Sequence, residues 1–331
     1  MKPMEELIIV SDYAGHLLAK KVADQIGCKY VPFNSKYFPD GEIDPQLSDN
    51  VRGHEVYYFC PYWPDPLQRD TEIKFLNSTL KYSSAGKIFS VPTYLGFMKK
   101  DWKDRPRVPI SIREVAVGTM EPYVNHLLTI EMHSAQIQGM FRIPSDNLDG
   151  TVLFAPHIKK HFDLSRSIVV APDLGATKRA KTLAERLGLR EFAIVYKMRD
   201  PRTGEVTAEG VFGDVDGKTC ILVDDQAVTL SSQVEASKLL REHGAEDIHS
   251  YTTHGLMVDG TDEISAEQRL SDSLIERLYI TDTIPRPDSY FEKHSDRIEL
   301  ISSVDLFANV VKTTFEGGSL TAYFDTSNSH S

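Results

Sequence analysis

The sequence has few cysteines, no long apolar run and fewer basic than acidic side chains. Its 331 residues include three cysteines, Cys28, Cys60 and Cys220, which lie far apart and form no C-x-x-C pair. This argues against a disulfide framework or a cysteine zinc site. No apolar run approaches the roughly 18 residues that a membrane-spanning helix needs, and the acidic start MKPMEEL does not resemble a signal peptide. We therefore expect a cytoplasmic protein.

Lysine and arginine (37) are outnumbered by aspartate and glutamate (48), which gives a net charge of −11. This balance disfavours nonspecific binding to nucleic acid or anionic membranes, so we expect neither as a partner. The motifs G-x-G-x-x-G, H-E-x-x-H and G-x-S-x-G are also missing, so dinucleotide oxidoreductases, zinc proteases and serine hydrolases lose their usual signals. Gly217-Lys218-Thr219 resembles the end of a P-loop. Its strand follows the motif instead of preceding it, which favours a tight turn.

Short apolar runs alternate with amphipathic stretches along most of the chain. The runs predict strands at residues 7–10, 55–59, 87–91, 127–130, 167–171, 192–195, 219–223, 248–252 and 277–280. Helices are predicted at residues 16–27, 178–187 and 232–243. Uniformly apolar strands separated by helices are typical of parallel sheets covered on both faces. The length indicates about two domains, with a boundary between residues 147 and 165. Residues 197–216 hold many charges, glycines and a proline, which predicts a long mobile loop or an extended hairpin.

Polar side chains follow several of the predicted strands. They are Asp12, Glu131, His133, Asp173, Asp224 and Asp225. Because ligands of parallel α/β sheets bind at the carboxyl ends of strands, this set predicts a magnesium and sugar site, although any single aspartate could be a helix N-cap. The segment 99–107, KKDWKDRPR, is a basic island that could bind a polyphosphate or form a solvated loop.

Motifs spread over residues 6–325 resemble those of the ribose-phosphate diphosphokinases, the phosphoribosyl pyrophosphate (PRPP) synthetases. The matching segments occur in family order, and together they are far more specific than any one of them. They are Phe38-Pro39-Asp40-Gly41-Glu42, Asn50-Val51-Arg52-Gly53, Asp104-Arg105-Pro106-Arg107-Val108-Pro109-Ile110-Ser111, His133 with Gln136-Ile137-Gln138-Gly139, Ile143-Pro144 with Asp146-Asn147-Leu148, Pro172-Asp173, Lys178-Arg179-Ala180, Gly217-Lys218-Thr219 into Asp224-Asp225, Thr253-His254-Gly255, and Thr281-Asp282-Thr283-Ile284-Pro285.

The resemblance implies an α/β fold of two similar domains with mainly parallel sheets, of the type I phosphoribosyltransferase kind. We expect an N-terminal domain at 1–150 with ATP and subunit contacts, a C-terminal domain at 151–315 with the ribose-phosphate site, and a polar tail at 316–331. The resemblance also implies a homo-oligomer, a hexamer or a dimer. The implied enzyme moves the β,γ-diphosphate of Mg-ATP to the anomeric hydroxyl of a ribose 5-phosphate and releases AMP. Positioning and charge neutralisation suffice for such a transfer.

The resemblance further implies roles for individual residues. Lys197 and Arg199 match the catalytic lysine and arginine, which stabilise charge on the transferring diphosphate while the loop closes and excludes water. The implied ATP-binding residues are Phe38, Asp40 and Glu42, which receive adenine from a neighbouring subunit, together with Lys99, Lys100, Asp101 and His133. The positions associated with Mg²⁺ are Glu131, His133 and Asp173. The ribose and phosphate positions are Asp224, Asp225, Thr229, Ser231 and Ser232.

The loop after the paired aspartates departs from the family pattern. Where the family reads Asp-Asp-x-x-Asp-Thr-Ala-Gly-Thr, this chain has Val228 for the third aspartate, Leu230 for the small residue and Ser231 for the glycine. Backbone N–H groups at a helix N-terminus hold the 5-phosphate there, so we expect bulkier residues to reshape the pocket. This favours an acceptor whose 5-phosphate is esterified, such as ADP-ribose. Two alternatives stay open: an ordinary PRPP synthetase that uses ribose 5-phosphate, and a noncatalytic regulatory paralogue.

Overall fold

In the computed structural model, the described residues are 3–199 and 206–324, and side chains are described outside residues 198–208. The chain divides into two compact units. Unit 1 comprises Met1–Asp149, Thr283–Pro285 and Ser303–Phe324, and unit 2 comprises Gly150–Asp282 and Arg286–Ser302. None of the helices in these described ranges has the length and apolar character needed to span a bilayer.

Unit 1 is built around a six-stranded parallel sheet in the order β2-β1-β5-β6-β7-β8. Its central strands are entirely buried because helices cover them, which explains their uniformly apolar sequences. The strands are β1 (Leu7–Ser11), β2 (Lys29–Pro32), β5 (Glu55–Phe59), β6 (Lys87–Val91), β7 (His126–Ile130) and β8 (Ser145–Leu148), and a separate antiparallel hairpin holds β3 (Lys36–Tyr37) and β4 (Ile43–Asp44). The helices are α1 (His16–Ile26), α2 (Pro66–Tyr82) and α3 (Ser111–Val115).

Unit 2 contains a seven-stranded sheet in the order β11-β10-β9-β12-β13-β14-β15. All neighbours are parallel except β10 and β11, which form an antiparallel hairpin. The strands are β9 (Ser167–Ala171), β10 (Phe192–Arg199), β11 (Val206–Phe212), β12 (Thr219–Ala227), β13 (Asp247–Gly255), β14 (Arg277–Thr281) and β15 (Ile298–Ile301). The helices are α4 (Thr151–His161), α5 (Thr177–Leu187), α6 (Ser231–Glu242), α7 (Ala266–Ser271) and α8 (Asp288–Lys293). The predicted α/β class with mainly parallel sheets is confirmed.

The last long helix, α9 (Val304–Phe315), belongs to unit 1, whereas the sequence analysis placed residues 304–315 in the C-terminal domain. The helix packs against α1, and Phe307 contacts the ring of Phe59 edge-on, with 5.6 Å between centroids. The Gln25 side chain also donates a 2.8 Å hydrogen bond to Asp305. These contacts join residues about 250 to 280 positions apart, so local sequence patterns carry no sign of them.

Candidate active site

The carboxyl end of β9 leads directly into Asp173. Its Oδ1 accepts a 3.0 Å hydrogen bond from the N–H of Ala176, so the aspartate caps the 3₁₀ turn Leu174–Ala176. The charge of Asp173 also contributes to raising the pKa of the Asp224 carboxyl. Asp173 therefore caps the turn and also interacts electrostatically with Asp224 on β12.

Asp224 and Asp225 lie together in the last part of β12. The side chains keep only 17% and 9% of their surface exposed, and the Asp224 Oδ1 accepts the N–H of Asp225 at 2.9 Å. Burial, followed by repulsion from Asp225, raises the pKa of Asp224 to about 8, while the Arg179 guanidinium on α5 opposes this shift. Arg179 lies 3.6 Å from Asp224 and 3.9 Å from Asp225. A ligand with hydroxyl groups or a cation would relieve this crowding of carboxylates.

The loop between β12 and α6 holds the residues that depart from the family pattern. Leu230 has φ 62° and ψ 2°, and its side chain is 3% exposed because it is part of the hydrophobic core of unit 2. Ser231 is the first residue of α6, where the backbone has no need of glycine. The hydroxyls of Thr229 and Ser231 are hydrogen-bonded at 3.0 Å, and Ser232 is exposed. The bulk of Leu230 thus lies in the hydrophobic core of unit 2, and a reshaped phosphate pocket stays a prediction.

Lys197 lies on β10, opposite Glu209 on β11. Its Nζ is 2.8 Å from Oε2 of Glu235 on α6 and 3.6 Å from Oε2 of Glu209. Since Glu235 is one helical turn beyond Ser231, this pair docks the lysine near the start of α6. The side chain of Arg199 and all of residues 200–205 lie outside the described part of the chain. The described parts of segment 197–216 form the extended hairpin, one of the two predicted alternatives.

The basic segment of unit 1 contains one buried acid. Asp101 is 6% exposed and accepts hydrogen bonds from the side chains of Ser134 and of Gln136, the latter at 2.9 Å. Lys100 forms an exposed 2.5 Å ion pair with Asp104, and Lys99 is exposed. Asp101 therefore fixes the segment after β7, while lysines remain at the surface for an anion.

The two unit 1 residues expected near Mg²⁺ follow β7. Glu131 is 7% exposed with φ 50°, and its N–H donates to the Leu148 carbonyl at 2.9 Å. His133 is exposed. Within residues 3–199 and 206–324, no group of three or more histidine, cysteine or acidic side chains has the geometry of a metal site. Mg²⁺ in phosphoryl-transfer sites is commonly held by one or two carboxylates and substrate phosphates, a donor type that Glu131 supplies in unit 1.

The turn between β3 and β4 holds the remaining residues that are predicted to bind ATP. Phe38 is 52% exposed, and Asp40 and Glu42 are exposed. The turn is closed by backbone bonds between residues 38 and 42 and between 41 and 38, of 2.8 and 2.9 Å, and Asp40 Oδ1 accepts the Glu42 N–H. An exposed aromatic ring on an ordered turn is suited to stack on a planar ligand.

Comparisons with known proteins agree on one family. A family model described as the N-terminal domain of ribose phosphate pyrophosphokinase matches residues 7–119, and a phosphoribosyl synthetase-associated domain matches residues 205–325. A ribose-phosphate pyrophosphokinase of Cereibacter sphaeroides is 33% identical, with 98% of this chain and 96% of the relative covered. One from Agrobacterium fabrum is 35% identical, with 90% and 95% covered. The chain belongs to the ribose-phosphate pyrophosphokinase family.

A solved structure extends the agreement to three dimensions. The crystal structure of phosphoribosylpyrophosphate synthetase from Mycobacterium smegmatis superimposes with a TM-score of 0.84 at 31% identity, covering 94% of this chain and 99% of that one. The resemblance to the family and its two-domain fold is thereby confirmed. Ribose-phosphate pyrophosphokinases are diphosphotransferases, so the chain belongs to a family of enzymes.

Two residues without a predicted role contact the candidate site residues. Arg179 faces both aspartates, and Glu235 holds Lys197. Arg179 lies in a matched segment, Lys178-Arg179-Ala180, which was the available signal for it. Glu235 had no such signal, because its contact with Lys197 joins residues 38 positions apart across a helix and a strand.

Proposed function

We propose that the protein transfers the β,γ-diphosphate of Mg-ATP to the anomeric hydroxyl of ribose 5-phosphate and releases AMP. The C1 hydroxyl oxygen bonds to the β-phosphorus, and the bond from that phosphorus to the α,β-bridging oxygen breaks. The bridging oxygen leaves with AMP, and the hydroxyl proton goes to solvent. Family membership supports this reaction class, and the geometry around Asp224 supports the acceptor.

The choice of ribose 5-phosphate as the acceptor is based on the buried position of the Leu230 side chain. Because this side chain is buried in unit 2, it does not occupy the space in front of α6. The start of a twelve-residue helix still offers N–H groups and a positive dipole end, and Thr229, Ser231 and Ser232 add hydroxyls. Asp224 and Asp225, near the end of β12, are proposed to accept hydrogen bonds from the ribose hydroxyls. An unesterified 5-phosphate dianion suits this cradle, so ribose 5-phosphate replaces ADP-ribose as the preferred acceptor.

We propose that Lys197 stabilises the negative charge that develops on the transferring diphosphate. Loss of one group that stabilises oxygens gaining charge in the transition state typically lowers kcat by about 10²–10³. We expect a cation at this position to contribute a similar factor. Arg199 is proposed for the same task. Both would act without a strong base, since the transfer depends on positioning and neutralisation.

ATP contacts are proposed for residues of unit 1. The ring of Phe38, with Asp40 and Glu42, would receive the adenine of ATP bound by a neighbouring copy, which makes a homo-oligomer part of the proposal. Lys99, Lys100, Asp101 and His133 are proposed beside the phosphates. When bound, Mg²⁺ neutralises phosphate oxygens, and Asp173, Glu131 and His133 are the residues proposed to hold it.

The test is AMP release from Mg-ATP by the purified protein, with ribose 5-phosphate and ADP-ribose assayed side by side. We expect turnover with ribose 5-phosphate and none with ADP-ribose. Lys197→Ala should lower kcat at least about 10²-fold, while Lys238→Ala, an exposed lysine of α6, should leave it unchanged. AMP with ADP-ribose alone would overturn the proposed acceptor. AMP with neither would favour a noncatalytic regulatory paralogue.

A further inference from the structure

A buried ion network lies beneath the β3–β4 hairpin. Arg69 on α2 is fully buried, and its guanidinium contacts Asp12 at 2.5 Å, Glu72 and the Pro61 carbonyl at 3.0 Å. Asp12 and Glu72 are each 3% exposed. Removing one member of a buried ion pair leaves the partner charge unpaired at a large cost. The carboxylate of Glu72 is therefore fixed in place.

The second oxygen of Glu72 faces the hairpin. Its Oε1 accepts a 2.6 Å hydrogen bond from the Tyr37 hydroxyl and another from Gln68. Burial and the bond to Glu72 both raise the pKa of Tyr37, so the phenol remains a donor at neutral pH. Tyr37 is 48% exposed, and it directly precedes Phe38 in the chain.

At its base the hairpin is joined by a 2.7 Å hydrogen bond from the Asn34 N–H to the Gln46 carbonyl and by a bridge between Phe33 and Leu47. Its two strands contain two residues each, and isolated two-stranded hairpins are marginally stable. Among residues the structure describes, the Tyr37 hydroxyl makes the one side-chain hydrogen bond between positions 36–44 and the body of unit 1. A bond to a charged acceptor is stronger than a neutral one. This contact thus fixes the tip side of the hairpin, which the backbone contacts at its base do not reach.

We propose that Glu72, held by Arg69, is a positioning residue for ATP that acts through Tyr37 on the turn at residues 38–42. The effect on ATP binding rests on the proposed function. The anchoring itself is a property of unit 1 that can be measured without any reaction.

Tyr37→Phe tests the proposal because it deletes only the hydroxyl of a half-exposed ring. Tyr58→Phe is the matched control, since its buried hydroxyl donates to Asp12 at 2.5 Å in the same network but does not touch the hairpin. Hydrogen exchange is followed in peptides covering residues 36–44, and KM is measured for ATP and for ribose 5-phosphate. We expect Tyr37→Phe to speed hairpin exchange and to raise KM for ATP about tenfold, with KM for ribose 5-phosphate unchanged. Tyr58→Phe should do neither.

The two readouts separate this proposal from the proposed function. If the wild-type protein releases no AMP, faster exchange in Tyr37→Phe alone still supports the anchor, while the proposed function fails. Unchanged exchange in Tyr37→Phe overturns the anchor whatever the activity. Faster exchange with an unchanged KM for ATP, or equal rises in both KM values, overturns the positioning role.

Discussion

Replacement of Leu230 by alanine tests whether this side chain belongs to the core or to the phosphate pocket. The side chain is 3% exposed and is part of the same core as Ala227, Leu240 and Met257. Leucine-to-alanine changes at such sites cost about 2–5 kcal/mol, through lost burial and the cavity left behind. We expect about 3 kcal/mol of lost unfolding free energy in unit 2. KM for ribose 5-phosphate should stay within about twofold of the wild-type value.

The backbone of Leu230 adds a second, independent expectation. Its φ of 62° is left-handed, a conformation that costs a residue with a Cβ roughly 1–2 kcal/mol. Leu230→Gly loses one more buried carbon than Leu230→Ala, worth about 0.8 kcal/mol, but relieves this strain. The glycine variant should therefore be no less stable than the alanine variant.

The assay is urea unfolding followed by circular dichroism, together with steady-state kinetics for both acceptors. Unchanged stability of Leu230→Ala with a strongly altered KM for ribose 5-phosphate would contradict the core position, since the side chain would then line the pocket. A gain of activity with ADP-ribose in the alanine variant would contradict it as well.

Two further predictions follow from charges at the site. Because burial and Asp225 raise the pKa of Asp224 from 3.8 to about 8, the folded state binds an extra proton between those values, so stability of the ligand-free protein should fall as pH rises through that window. Asp225→Asn should flatten this fall in urea unfolding, and an unchanged slope would contradict it. Lys197 must leave Glu235 to reach the diphosphate, and this partly exposed pair is worth up to about 1 kcal/mol. Glu235→Gln should therefore raise kcat/KM up to about fivefold, and a decrease would contradict this.

Strand periodicity predicted most of both sheets because fully buried parallel strands have uniformly apolar sequences. The predicted strand at residues 7–10 lies within β1, and the run at 219–223 continues to Ala227. That extension places Asp224 and Asp225 within a strand, so the pair is held more rigidly than a loop position would be. Family motifs indicated this pair, Lys197 and the hairpin turn, and their roles stay proposals.

Three-dimensional contacts explain what the sequence could not predict. The direction of the Leu230 side chain depends on its left-handed backbone conformation. A leucine at this position does not predict that conformation. The apolar face of helix α9 does not reveal its partner in the sequence, and its packing on α1 assigns it to unit 1. The same holds for Tyr37 and Glu72, which are 35 positions apart and meet because α2 passes beneath the hairpin.

The identity of the product tests the central claim most directly. ³¹P NMR of wild-type protein with Mg-ATP and ribose 5-phosphate should show AMP and a new diphosphate attached to C1 of the sugar, formed in equal amounts and in the absence of ADP. Accumulation of ADP with a singly phosphorylated C1 would contradict diphosphate transfer. Unchanged ATP and ribose 5-phosphate would contradict the proposed activity altogether.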